Sequence, residues 1–266
     1  MKKLNVNGLS IAYQVQGQGS PLVMLHGGVS DSRSWNRQLE RFSDEFRVIA
    51  WDAPGCGGSQ DPPENYSLED YADTLAEFIY KMGLRQAHIL GLSFGGGLAI
   101  QLYQRHPTIA RTLILESAYA GWAGSLPANE VEERRKKGME MSRMTGKEVA
   151  DAFIPTLFSE SVPKETVEET ASIIRDFHPS GSRTMLSAFA RADLRDTLPE
   201  ITIPVLLIYG DRDKRSPLKV ARDLHSRMPS SKLVIIPGSG HVVHEEAPDR
   251  FENVVREFLL SVSRSL

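Results

Sequence analysis

Polar and apolar residues alternate through residues 2–16, on either side of Asn7-Gly8. That dipeptide suits the positive backbone angles of a two-residue turn, so the pattern predicts an opening β-hairpin. Four short apolar runs follow: "PLVML" (21–25), "FRVIAW" (46–51), "AHILGL" (87–92) and "RTLILE" (111–116), each succeeded by a turn or a helical pattern. Strands alternating with helices imply a parallel sheet covered on both faces. One intervening helix starts behind Ser67, a good N-cap, and carries Leu68, Tyr71, Ala72, Leu75, Phe78, Ile79 and Met82 at helical spacing. The alternation resumes with "PVLLIYG" (204–210), a helix from Pro217 to Met228 behind Ser216, "KLVIIPG" (232–238), and a last helix bearing Phe251, Val254, Val255, Phe258 and Leu259.

Between the two blocks the strand pattern vanishes. Residues 119–195 read as short amphipathic helices broken at Pro155, Pro163 and Pro179. The expected organisation is therefore a core domain from 1–118 and 196–266, with 119–195 as an inserted helical cap. Four of the eight methionines, Met139, Met141, Met144 and Met185, lie in this insertion. Flexible thioethers there either fill gaps in a small core or roof a binding pocket.

Composition narrows the function classes. With 266 residues and 41% hydrophobic content, the chain is long enough for one large core. Its 31 basic residues against 34 acidic ones, a formal charge of -3, offer no basic face for nucleic acid. No stretch is apolar enough to span a bilayer, and the opening "MKKLNVNGLSIAYQVQG" lacks the continuous apolar segment of a signal peptide. Cys56 is the only cysteine, so neither an internal disulfide nor a thiolate cluster can form, and a reducing cytoplasm is the expected compartment.

Candidate chemistry begins in "HILGLSFGGGLAI" (88–100), where Ser93 stands between glycines at the junction of a predicted strand and a predicted helix. A G-x-S-x-G turn in that setting is a nucleophile elbow: the tight corner exposes the serine, and the helix behind it aims amides at the same place. A serine hydroxyl needs a base, and the base needs an acid to orient it. His241, in the glycine-rich loop "PGSGHVVHEE" after the last predicted strand, is placed as the base, with His244 as its local rival. His241, His244 and Glu245 lack a supporting third cluster of His or Cys, so no metal site is expected. Three carboxylates compete as the acid: Asp211 and Asp213 in "IYGDRDKRSP", and Glu116 at the end of "RTLILE". Asp211 lies close to the strand end, suited to capping loop amides, while Asp213 reaches further towards the His241 loop.

Five segments, "LHGG" (25–28), "DAPGCGGS" (52–59), "GLSFGG" (91–96), "GDRD" (210–213) and "GSGH" (238–241), stand in an order and at spacings that resemble the α/β-hydrolase-fold serine hydrolases from end to end. The esterase and 3-oxoadipate enol-lactone hydrolase branch is the most similar, through residues 180–213. The resemblance implies the fold class α/β, in the form of a mostly parallel eight-stranded sheet flanked by helices, with a helical cap inserted after the sixth strand. It implies Ser93, Asp213 and His241 as the triad, and an oxyanion hole from the backbone amides of Gly28 and Phe94, with Val29 as the alternative to Gly28. His26 serves equally well as a residue that closes its turn. The glycines of "DAPGCGGS" fail the dinucleotide-loop spacing, so Asp52 is expected to hold backbone amides and no cofactor is expected.

Dehalogenase and epoxide-hydrolase relatives carry aspartate at the elbow, so with serine there the resemblance implies acyl transfer to water, and a small, largely apolar ester or lactone is the expected substrate. Trp122 and Met144 are the expected substrate-contacting residues of the roof. The small-molecule substrate is the expected partner of a monomer or homodimer. The same motifs also suit a slow-turnover ligand receptor or a C–C bond hydrolase, although "GGVSDS" departs from the "GPG" continuation of the latter. A perhydrolase would carry a proline where Val29 and Ser30 stand.

Overall fold

A computed structural model describes residues 1–160 and 162–263. The hairpin of β1 (Lys2–Val6) and β2 (Leu9–Gln16) turns at Asn7 and Gly8, whose φ values of 51° and 85° are those the dipeptide tolerates. Six further strands follow: β3 (Ser20–Leu25), β4 (Phe46–Trp51), β5 (Ala87–Leu92), β6 (Ala110–Glu116), β7 (Val205–Gly210) and β8 (Ser231–Ile236). Every apolar run read as a strand is one, with ends shifted by at most two residues.

The eight strands form a single sheet in the order β1-β2-β4-β3-β5-β6-β7-β8. β2 runs antiparallel to β1 and β4, and all other neighbours are parallel. β5 and β7 are buried along their whole length, because helices cover both faces of the sheet. The covering helices include α1 (Asn36–Phe42), α2 (Leu68–Lys81), α3 (Phe94–Arg105), α8 (Leu218–Arg227) and α10 (Pro248–Ser263), with α2 packed on α3 and α1 on α10. From β3 the chain steps to β4 on one side and later to β5 on the other. Such a reversal opens a crevice at the carboxyl ends of the strands.

Four helices connect β6 to β7: α4 (Ala128–Met141), α5 (Gly146–Leu157), α6 (Lys164–Arg175) and α7 (Pro179–Arg191). α4 packs on α7 and α5 on α6. Pro163 and Pro179 stand at helix starts, as their missing amides permit. Pro155 does not break a helix. It sits in the last turn of α5, where only one intrahelical bond is lost before the chain turns extended at Phe158. Met141 and Met185 are buried, whereas Met139 and Met144 are exposed, so the methionines divide between filler and surface. Among the described residues no helix is long and apolar enough to cross a membrane.

A buried ion pair ties the end of β6 to the short helix α9 (Val243–Glu246). The Nδ1 of His244 lies 2.9 Å from Oε2 of Glu116, the His244 amide donates to Oε1 at 3.0 Å, and both side chains are fully buried. The His244 ring stacks on Trp35 at 4.1 Å. Burial pushes the imidazole down, but Glu116 outweighs it and holds His244 above the ordinary histidine range.

Ser67 caps α2 in a reciprocal pair with Asp70: each amide donates to the other side chain, at 2.8 and 3.2 Å. Ser67→Ala should therefore cost about 1 kcal/mol in urea unfolding. The His244–Glu116 pair has its own pH signature. With the folded value raised, its stabilisation is complete below about pH 6.5, the unfolded histidine value, and is lost as pH rises through the folded one. Glu116→Gln should lower the unfolding free energy measured in guanidinium most at the acid end of that window, by about 3 kcal/mol, with the gap to wild type narrowing as pH increases. A gap independent of pH would show that His244 is not charged.

Candidate active site

The corner after β5 is built by backbone contact. A Cβ on Gly91 would lie 2.3 Å from the carbonyl oxygen of Gly95, and one on Gly95 would lie 2.3 Å from that of Leu25. With strand, turn and loop pressed this close, Ser93 takes φ 53°, ψ −107°, a left-handed conformation that costs a serine about 1–3 kcal/mol. Its amide is anchored to the carbonyl of Glu116 at 2.8 Å. α3 begins at Phe94, so the first amides of that helix are free to face a negative charge beside Ser93.

The loop after β3 lies next to this corner. His26 accepts from the Ala53 amide through Nε2 at 3.0 Å, which leaves Nδ1 to donate to Gly27 O at 2.7 Å. With both nitrogens engaged, His26 closes the turn. Val29 has φ 59°, rare for a β-branched residue, and this reverses the chain so that Gly28, Val29 and Ser30 all line the cleft above Ser93. Asp52 accepts from the amides of Ser32 and Gly58 at 2.8 and 2.7 Å, holding the "DAPGCGGS" loop as expected. Cys56 inside that loop is buried, and desolvation pushes its thiol well above the ordinary range, which removes thiolate character.

The loops after β7 and β8 meet through the other candidates. His241 Nδ1 lies 2.9 and 3.1 Å from the two oxygens of Asp213, and both side chains are buried. Asp213 Oδ1 also accepts from the amides of Arg215 and Ser216, each at 2.8 Å. Burial pushes this carboxyl up, but His241 and the two amides outweigh it and hold Asp213 below its usual range, as a carboxylate. Asp211 instead accepts from the Gly238 amide at 2.7 Å, on the exposed side of the loop. Glu116 is occupied by His244. Of the three competing carboxylates, Asp213 is the one bonded to His241.

Ser93, Phe94, Gly28, His241 and Trp122 line one cleft of about 610 Å³, including its open mouth. Met144 does not reach it. It lies beyond the end of α4, in the link to α5, on a separate outer groove. Its place is taken by residues that a closer reading of helical period would have found: Phe153 and Leu157 four apart on α5, and Thr170 and Ile174 four apart on α6. Glu246 was not anticipated by any local signal. Its carboxylate accepts from the amides of Gly240 and Ser159 at 2.7 and 3.2 Å, binding the glycine loop before His241 to the chain beyond α5. The His241 amide donates to Leu157 O at 2.7 Å, a second tie between that loop and the helices above. Among the described residues no group of three His, Cys, Asp or Glu side chains is placed to hold a metal ion.

Comparison with known proteins agrees with this architecture. Residues 22–254 match the family model described as "Alpha/beta hydrolase family". A solved thermophilic esterase from Thermogutta terrifontis is 29% identical and superposes with a TM-score of 0.90 over 98% of each chain. The pimeloyl-[acyl-carrier protein] methyl ester esterase of Yersinia enterocolitica is 29% identical over 255 residues, covering 92% of this chain and 96% of that one. The enol-lactonase from Burkholderia xenovorans LB400, at 22% identity, shares the fold with a TM-score of 0.88 over 97% of this chain and 100% of that one. With a match that runs from β3 into α10 and takes in the elbow, the acid loop and the histidine loop, this chain is a member of the alpha/beta hydrolase family.

Proposed function

We propose that this protein is a serine hydrolase that opens a carboxylic ester or lactone of a small, largely apolar substrate through an acyl-enzyme. One observation carries the reading: His241 commits Nδ1 to the Asp213 carboxylate at 2.9 Å, and its ring shares the cleft wall with Ser93. The Asp213 bond fixes the tautomer with hydrogen on Nδ1, so Nε2 is the basic nitrogen available to Ser93. Ser93 Oγ attacks the carbonyl carbon as its proton passes to Nε2. The amides of Gly28 and Phe94 stabilise the oxyanion of the tetrahedral intermediate, and the imidazolium stands against the Asp213 carboxylate. His241 then returns the proton to the leaving oxygen, and a water activated by the same nitrogen releases the acyl group. Trp122, Leu186 and Phe189 make much of the wall apolar, which suits an acyl or ring portion without charge near the reacting carbon.

The test is a panel of p-nitrophenyl esters of rising chain length, together with lactones, offered to wild type and to Ser93→Ala. Wild type should turn over repeatedly, and the variant should lose at least about 10³-fold in kcat while its thermal unfolding stays cooperative. A serine-directed phosphonate should label Ser93 alone. Labelling elsewhere overturns the assignment, and a single slow turnover on every compound would favour a ligand receptor. The acid can be tested separately. Asp213→Asn should lower kcat by about 10⁴-fold, since the amide cannot hold the imidazolium. Glu116→Gln and Asp211→Asn should act on stability and keep kcat within about tenfold of wild type. A dead Glu116→Gln beside an active Asp213→Asn would move the acid to β6.

A further inference from the structure

Trp122, Phe153, Leu186 and Arg215 line the cleft and also line a neighbouring outer groove of about 1200 Å³, open to solvent. Met141, Met144 and Ala152 make the floor of that groove apolar, while Arg134, Lys137, Lys214 and Arg215 stand on its rim against the single acid Glu140.

These cations are not equivalent. Lys137 pairs with Glu133 at 2.7 Å, and Arg134 is spent on the Tyr119 hydroxyl and on the carbonyl of Arg215. Arg215 and Lys214 have no carboxylate within 4.0 Å among the described residues. The guanidinium of Arg215 is positioned all the same: it lies over the Phe153 ring, 4.4 Å from the centroid, and one Nη donates to Thr156 Oγ1 at 3.0 Å. Burial lowers its pKa, yet an arginine stays charged at any working pH. A half-buried cation with no carboxylate in contact gains from one, and a planar fork with spare N–H groups matches a carboxylate. The acid on the other wall is already served, because Glu245 accepts from Thr170 and sits 3.7 Å from His244 Nε2. Asp213, whose charge acts on Arg215, is engaged by His241 and two amides.

From this arrangement, and resting on the serine-hydrolase reading of Ser93, we propose that Arg215 is a specificity-determining residue that binds a carboxylate at the far end of the substrate. The preferred substrate is then a half-ester of a dicarboxylic acid. Its ester carbonyl lies at Ser93, its methylene chain passes Trp122 and Phe153, and its free carboxylate meets Arg215, with Lys214 and Arg134 adding positive potential at the mouth.

Monomethyl esters of straight-chain dicarboxylic acids of rising length, each paired with the isosteric ester ending in a carboxamide, provide the test. At the best chain length wild type should favour the carboxylate by about 30-fold or more in kcat/KM, mainly through KM. Arg215→Gln should bring that ratio close to one, and Arg215→Lys should retain part of it, since the charge stays but the fork is lost. High salt should erode the wild-type preference. A wild-type ratio at or below one, on esters whose hydrolysis is lost in Ser93→Ala, overturns the role of Arg215 and leaves the serine-hydrolase reading standing. Absence of Ser93-dependent hydrolysis of any ester overturns the underlying reading instead. A preference that persists undiminished in Arg215→Gln, or in Arg215→Lys should the glutamine variant fold poorly, also overturns the role of Arg215 and passes it to Lys214 or Arg134.

Discussion

Backbone crowding at the end of β5 is the constraint from which the rest of the site follows. Gly91 and Gly95 touch neighbouring carbonyls where any side chain would collide, and that contact holds Ser93 in a left-handed conformation. The strain is held by the strands around it: β5 is buried end to end, and the Ser93 amide is bonded to the carbonyl of Glu116 on β6. The same corner starts α3, so Ser93 and the first helix amides are delivered together. The β3 loop, turned by Val29, completes the cradle from the other side of the topological switch.

Two histidine–carboxylate pairs with almost identical geometry lie three residues apart in the chain, and their surroundings separate them. His241–Asp213 stands at the wall of the cleft, in reach of a substrate. His244–Glu116 is sealed behind Trp35, and its charge is an internal fastening between sheet and helix. The chemistry of an imidazole beside a carboxylate is the same in both. Only the first shares a cleft wall with Ser93, so only it is placed for the proposed proton transfer, while the second is a structural pin.

The helices between β6 and β7 supply wall to the cleft and, in the proposed reaction, would act on selectivity rather than on bond making. They contribute Phe153, Leu157, Ile174 and Leu186 to the wall, and they are tied to the histidine loop through Leu157 O and Glu246. Those ties fix the position of the histidine loop relative to the helices that wall the cleft. Arg215 on one wall and Glu245 on the other give a mostly apolar cleft its charged side chains besides His241.

Strand positions, the hairpin, the helix behind Ser67, the elbow and the histidine loop were all legible in the chain, because each is written by interactions between residues a few positions apart: hydrophobic period, turn chemistry, capping and steric need for glycine. Other features depended on docking. Asp211, Asp213 and Glu116 are equivalent as letters, and only the meeting of the β7 and β8 loops gives Asp213 to His241 while β6 gives Glu116 to His244. Pro155 looked like a break and is the last turn of a helix. Met144 looked like roof and faces outward, while Phe153 and Arg215, with no motif to mark them, line the cleft. The physical reason is the same in each case: periodicity says which face of an element is apolar, but which partner that face meets is set by packing between segments far apart in sequence, and no local pattern carries that information.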